Sequence, residues 1–313
     1  MNRILGRYIG EEKGPLFIVL GAMHGNELAG VKAVQQVLKM LELEADQNPD
    51  FIFSGQFIGL CGNVQAVVAG QRFLEKDLNR QWTVSHVDYV KAQPKNALRA
   101  EDKELRELLD TILSEVQRYQ PEQLIILDLH TTSADGGIFS IVTDELSSLQ
   151  IAVQLHAPVI TGMLQGLRGT TLHYFTNHLF NIPTTGLAFE SGQHDDPDSV
   201  SRAISAIINC MRSIGCVHAF VVEDRHDEIL IEYSRPLPKV TELRYVHRIS
   251  EKDEFQMQPG YVNFQKVTAG ELLAHDKTGA IRAPFDSFVL MPLYQSQGEN
   301  GFFLVEEIYQ GAY

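Results

Sequence analysis

Short apolar runs that end in chemically loaded turns, with amphipathic segments between them, constrain this chain more than any other feature. Leu16-Phe17-Ile18-Val19-Leu20 leads into Gly21-Ala22-Met23-His24-Gly25-Asn26-Glu27. Leu28, Val31, Val34, Leu38 and Leu41 then recur at helical spacing. Phe57-Ile58-Gly59-Leu60-Cys61, Leu124-Ile125-Ile126-Leu127-Asp128-Leu129-His130 and Gly186-Leu187-Ala188-Phe189-Glu190 repeat the strand pattern. A second strong helix is predicted over about 101–118, where Leu105, Leu108, Leu109, Ile112, Leu113 and Val116 keep register up to Pro121. A continuous apolar run reads as a strand covered on both faces. Strands alternating with helices up to about residue 222 therefore imply an α/β fold, a largely parallel sheet flanked by helices.

The connecting segments carry further expectations. Residues 2–9 and 16–20 read as strands joined by a turn at 11–15, and Asp46 to Asp50 is a polar loop. Residues 63–100 read as mostly irregular, longer than a connection needs to be, and loops of that length are usually functional or disordered. Residues 137–142 look like a strand, 145–156 a helix and 157–163 extended chain. A further helix starts at Asp195 or Asp196 with Pro197 in its first turn and ends near Gly215. From about residue 227 the pattern becomes short β-type runs, Ile229 to Tyr233, Arg244 to Ile249, Val289 to Met291 and Phe302 to Val305. We expect a catalytic domain over 1–225 and a C-terminal β-rich domain over 226–313.

Charge narrows the partners. A net charge of −14 argues against nucleic acid and against an anionic membrane, both of which need a basic face. An anionic small molecule would need a local basic pocket. The N-terminus has no apolar signal region and no stretch approaches 18 apolar residues. Cys61, Cys210 and Cys216 have no metal-type spacing and read as reduced thiols, so a cytoplasmic protein is expected.

Open α/β sheets hold ligands at the carboxyl ends of their strands. His24 and Glu27 stand at one such end, His130 at a second and Glu190 at a third. Catalytic zinc takes imidazole nitrogen and carboxylate oxygen from three protein ligands and keeps one position for water. The three strand ends are therefore expected to converge on one zinc ion in a hydrolytic site.

Four motifs in this order carry a family resemblance: Gly-Ala-Met-His24-Gly-Asn-Glu27, Asp77-Leu78-Asn79-Arg80, Asp128-Leu129-His130-Thr131-Thr132 and Phe189-Glu190-Ser191-Gly192. Over about residues 16–192 the chain resembles the succinylglutamate desuccinylase/aspartoacylase family, which belongs with the zinc carboxypeptidase-like hydrolases. The resemblance implies a zinc carboxypeptidase-like fold and one zinc ion on His24, Glu27 and His130. It implies Glu190 as the general base that activates the zinc-bound water and then protonates the departing amine. Arg72 would polarise the scissile carbonyl, and Asn79 with Arg80 would hold a substrate carboxylate. Asp128 or Asp77 would orient a ligand imidazole.

The expected substrate is an N-acyl amino acid or similar small amide. A metallocarboxypeptidase acting on peptide C-termini and a non-catalytic metal- or ligand-binding module are the alternatives. Aspartoacylase-like members place an Arg shortly before the catalytic glutamate for a second carboxylate, whereas Gly169 to Phe189 contains none and Arg168 lies farther back. His173, Tyr174, His178 and His194 are candidates for the pocket wall. The C-terminal region resembles the small biotinyl/lipoyl-type barrel of bacterial relatives. No Lys follows Val289 in its turn, which argues against a covalent cofactor; Tyr294 is its candidate at the site mouth.

Overall fold

The computed structural model describes residues 1–218 and 225–309. The strands in chain order are β1 (Ile4–Ile9), β2 (Glu12–Gly21), β3 (Ser54–Cys61), β4 (Leu124–Thr132), β5 (Phe139–Val142), β6 (Val159–Thr161) and β7 (Thr184–Gln193). They continue with β8 (Val240–Arg248), β9 (Gln256–Met257), β10 (Gln265–Val267), β11 (Leu272–Asp276), β12 (Gly279–Arg282), β13 (Ser287–Leu290) and β14 (Asn300–Tyr309). Among the described residues, eleven of them form one sheet in the order β1-β3-β2-β4-β7-β5-β6-β8-β14-β13-β10, and β12-β11-β9 form a small second sheet. β3, β2, β4 and β7 run parallel; β5 enters antiparallel to β7, and β6 and β8 follow β5 in parallel. The fold is thus the expected mixed α/β sheet with C-terminal β strands.

The apolar runs are covered on both faces, as their lack of alternation implies. Phe17 and Val19 of β2 face one core with Val34, Leu38 and Leu41 of the Ala29–Gln47 helix and Ala206 and Ile207 of the Ser199–Ser213 helix. Leu16, Ile18 and Leu20 face the opposite core with Leu105, Leu108 and Ile112 of the Ala100–Tyr119 helix. Successive side chains of a strand point to opposite faces, so one run supplies both layers. Each large apolar side chain fully buried this way stabilises the fold by roughly 1.5–3 kcal/mol.

Three stretches differ from expectation. Arg225–Ser234 is a helix, not a β run. His226, Leu230 and Ser234, spaced four apart, are its buried residues, and Leu230 packs in the core that includes the Ser199–Ser213 helix. The cluster Ile229-Leu230-Ile231 is too short for periodicity to separate strand from helix, and tertiary packing decides. Residues 63–100 are less irregular than expected, with helices Val64–Ala69 and Val84–Ala92. Asn63 caps the first through Ala66 N and Gly70, at φ 63°, ends it. Asp198, not Asp195 or Asp196, stands at the cap of Ser199–Ser213, and Pro197 precedes that helix.

The C-terminal strands extend the main sheet, because Val159, Ile160 and Thr161 of β6 pair with Val240, Thr241 and Glu242 of β8. They also form a core of their own around Leu273, Val289, Phe302 and Leu304. Among the described residues, no helix is long and apolar enough to cross a membrane.

Candidate active site

Sheet register brings the catalytic candidates together. In the parallel ladders Gly21 lies opposite Leu129, and His130 lies opposite Glu190. After β2 the chain turns sharply, with Ala22 at φ 55° and Glu27 N donating to His24 O at 3.1 Å. Gly25 permits this turn. A Cβ there would stand 2.2 Å from the carbonyl carbon of Ala66, so any larger residue pushes the turn off the backbone it rests on. His24 and Glu27 consequently project into the same space as His130.

Glu27 bridges the two imidazoles, with Oε1 2.8 Å from His24 Nδ1 and Oε2 2.9 Å from His130 Nδ1. All three residues are buried, and one ligand atom from each lies within 4.8 Å of the others. The far nitrogens are backed by carboxylates: His24 Nε2 stands 3.1 Å from Asp77 Oδ1, and His130 Nε2 stands 3.1 Å from Asp128 Oδ1. Thr171 Oγ1 donates to Asp128 Oδ2 at 2.6 Å. Each of the two aspartates considered as imidazole partners thus lies beside one histidine. An imidazole that offers one nitrogen and keeps a carboxylate behind the other is the usual arrangement around a catalytic metal. This donor set fits a divalent metal ion.

The electrostatics follow from burial and proximity. Burial works to raise the Glu27 carboxyl, but His24 and then His130 hold it well below its ordinary range. Burial likewise opposes ionisation of Asp77, which His24, Arg80 and Arg72 overcome. Burial lowers His130, yet Asp128 and then Glu27 hold it well above the usual imidazole value. Glu190 goes the other way: burial pushes its carboxyl up to about 7. Its Oε2 has no hydrogen-bond partner among the described residues.

Arg72, Asn79 and Arg80 arrive on the loop between the two short helices. Arg72 Nη1 donates to Glu27 Oε1 at 3.0 Å, Nη2 to Asp77 Oδ2 at 3.3 Å, and Nη2 also lies 2.9 Å from His24 Nε2. Asn79 Oδ1 accepts from Thr171 N at 3.0 Å, and Arg80 Nη1 donates to Asn79 O at 2.7 Å. One cavity is lined by the metal, catalytic and substrate residues that the family resemblance implies, His24, Glu27, Arg72, Asn79, Arg80, His130 and Glu190. Met291, Leu293 and Gly298 close it from the C-terminal side.

Other candidates fall outside it. Tyr294 turns away, its hydroxyl donating to Gln258 O at 2.7 Å. Tyr174 packs with Trp82 and Phe175, and His173 caps at Thr170. The side chain of His178 lies outside the described residues. His194 does come close, its Nδ1 2.7 Å from Thr131 Oγ1.

The residue that the motifs missed is Glu101. Fully buried, it accepts from Leu74 N at 2.7 Å, Glu75 N at 3.0 Å, Lys76 N at 3.3 Å and Asn63 Nδ2 at 3.1 Å. It thereby anchors the loop that carries Arg72, Asp77, Asn79 and Arg80. In the sequence it is one of two acids in a helix's first turn, where acids are ordinary.

The profile of the succinylglutamate desuccinylase/aspartoacylase catalytic domain matches residues 13–214, well over half of the chain. The chain belongs to that family. A probable aspartoacylase of a Nostoc species is 28% identical over 127 residues, which is 41% of this chain and 38% of that relative. The chain thus spans about two fifths of the length of that relative and of a second one from Acaryochloris marina, 44% of which is matched. An N-acyl-aromatic-L-amino acid amidohydrolase (carboxylate-forming) of Xenopus tropicalis is 25% identical over 286 residues, 82% of this chain and 83% of that protein. Among solved structures, murine aminoacylase 3 matches with a TM-score of 0.61 at 18% identity, covering 95% of this chain and 96% of its own. At that identity the structural likeness speaks for the shared fold of the succinylglutamate desuccinylase/aspartoacylase family.

Proposed function

We propose that this family member is a zinc-dependent hydrolase of N-acyl amino acids or similar small amides, with one zinc ion on His24, Glu27 and His130. The observation that carries the reading is Glu190. It is the register partner of His130, is buried, keeps a free oxygen and is raised to about 7. A sensor or storage site gains nothing from such a group; a general base that must take and return a proton near neutral pH does. A divalent ion in this cluster supplies a water of lowered pKa and polarises a carbonyl.

Glu190 takes a proton from the attacking water as its oxygen bonds to the acyl carbon. It returns that proton to the amide nitrogen as the C–N bond breaks, and the product acid's remaining proton passes to the amine, leaving a carboxylate and an ammonium group. Arg72, which cannot deprotonate, offsets the charge that develops on the carbonyl oxygen. Asn79 and Arg80 grip the carboxylate of the amine half, for which a guanidinium offers two parallel donors. The C-terminal wall of Met291, Leu293 and Gly298 narrows the cavity, which favours a small amide over a peptide chain end. The relatives' names, aspartoacylase and amidohydrolase, favour the same choice over a carboxypeptidase. Three unpaired, buried thiols support a reducing compartment, the cytoplasm.

The test is Glu190→Gln on the zinc-loaded protein, with amine release from N-acetyl amino acids as readout. We expect one zinc retained per chain and a loss in kcat of about 10²–10⁴. Because the base acts deprotonated, parent activity falls as pH drops through the Glu190 pKa, at or below about 7 since a nearby dication lowers it. That acid limb disappears in the variant. Equal activity of variant and parent would remove Glu190 from its role.

A further inference from the structure

We propose that the amine half of the substrate is an amino acid with an apolar side chain, seated against Ile141, Leu167, Leu172, Ala188 and Phe303. The inference rests on the deacylase reading and adds which amine it takes. All five residues line the cavity that holds Glu190 and the metal cluster, and all are buried. They also belong to one apolar cluster, so they form a continuous wall rather than scattered contacts. Ala188 precedes Glu190 by two positions on β7 and therefore shares its face, and Ile141 is its register partner on β5. The wall thus begins beside the proposed base.

Cations decide against an acidic side chain there. Among the described residues, Arg72 and Arg80 are the arginines that line the cavity, and no lysine does. Arg72 is committed to Glu27 and Asp77, and Arg80 rests on Asn79 O with Glu299 3.9 Å away. Arg168, the nearest arginine before Glu190, is exposed and outside the cavity. A second carboxylate would therefore be buried against hydrocarbon without a counter-charge, which is strongly unfavourable.

Connectivity assigns the wall to the amine half and not to the acyl group. Thr171 N donates to Asn79 Oδ1, Trp82 N donates to Gly169 O, and a Cβ at Gly169 would meet Arg80 O at 2.3 Å. The segment bearing Leu167 and Leu172 is thus laid directly on the Asn79–Arg80 turn. A carboxylate held by Arg80 and a side chain against Leu172 are then two substituents of one amino acid.

The experiment compares kcat/KM of the zinc-loaded protein for the N-acetyl derivatives of L-leucine, L-methionine, L-phenylalanine, L-aspartate and L-glutamate. A second series holds leucine constant and lengthens the acyl chain. We expect the apolar amines to exceed the acidic ones at least tenfold, in the range that apolar pocket contacts supply. We also expect L-leucine, but not L-aspartate, to inhibit as a product. In Leu172→Arg the leucine-to-aspartate ratio should fall at least tenfold. Hydrolysis with the acidic amines preferred, or a preference that follows the acyl chain alone, overturns the inference and leaves the deacylase reading standing. No hydrolysis of any member overturns both.

Discussion

The two halves of the site are held in place by different physics. His130 and Glu190 lie within parallel strands whose ladder runs from Leu124 and Thr184 onward, with apolar cores packed on both faces. Many independent hydrogen bonds and buried side chains determine their register, so removing one side chain there deletes chemistry and leaves geometry. Arg72, Asp77, Asn79 and Arg80 lie on a loop that has no sheet partner. Its shape depends on a few polar ties, chiefly the Glu101 carboxylate and the Asn79–Thr171 bond. A change outside the cavity can therefore move the loop's chemistry, whereas the same kind of change behind a strand cannot.

The largest effect is expected where the strand half supplies a proposed metal ligand. His130→Ala should lose bound zinc, measured by metal analysis after dialysis, and amide hydrolysis should fall to background. Thermal unfolding should stay cooperative, because the strand register does not depend on the imidazole. A variant that keeps one tightly held zinc per chain would break the assignment of His130. Next comes Asp77→Asn, on the loop half. The amide cannot support the His24 imidazole as a carboxylate does, and supports of this kind contribute roughly 10–100-fold in metal affinity. Competition against a chelator measures it. Asp128→Asn, made on a strand, is the matched control, and unequal losses would show which half of the site holds the ion more tightly.

The same contrast explains what could be read from the chain alone. The strand half was legible because a strand end is written locally: an apolar run, then His24 and Glu27, His130 or Glu190. The family resemblance also named Arg72, Asn79 and Arg80, and all of them line the cavity. What it does not encode is how the loop is held. Three of the four groups Glu101 accepts from are backbone N–H groups 25 to 27 positions away, which every residue type except proline offers, so no pattern marks it. The helix Arg225–Ser234 escaped for a related reason. Its buried face is His226, Leu230 and Ser234, two of them polar, and hydrophobicity alone does not reveal it. The apolar wall was invisible because Ile141, Leu172, Ala188 and Phe303 look like any core residues until register and topology set them beside Glu190.

The smallest effect bears most directly on the loop. Glu101→Gln keeps the volume of the side chain and one acceptor oxygen but loses the charge. The four donors it serves then face an amide whose NH₂ group offers no lone pair, so at least one backbone N–H loses its acceptor. A buried donor left this way costs about 1–3 kcal/mol, enough to let the 74–76 segment shift. The proposed zinc ligands lie elsewhere, so metal content should not change. Asn79 and Arg80 ride on the shifted segment, so KM should rise several-fold while kcat falls less. A purely structural role would instead lower the melting temperature and reduce active protein without altering KM. If Glu101→Gln binds and turns over substrate as the parent does, the loop is held by its remaining contacts, and the distinction between a strand-fixed and a carboxylate-fixed half of the site disappears.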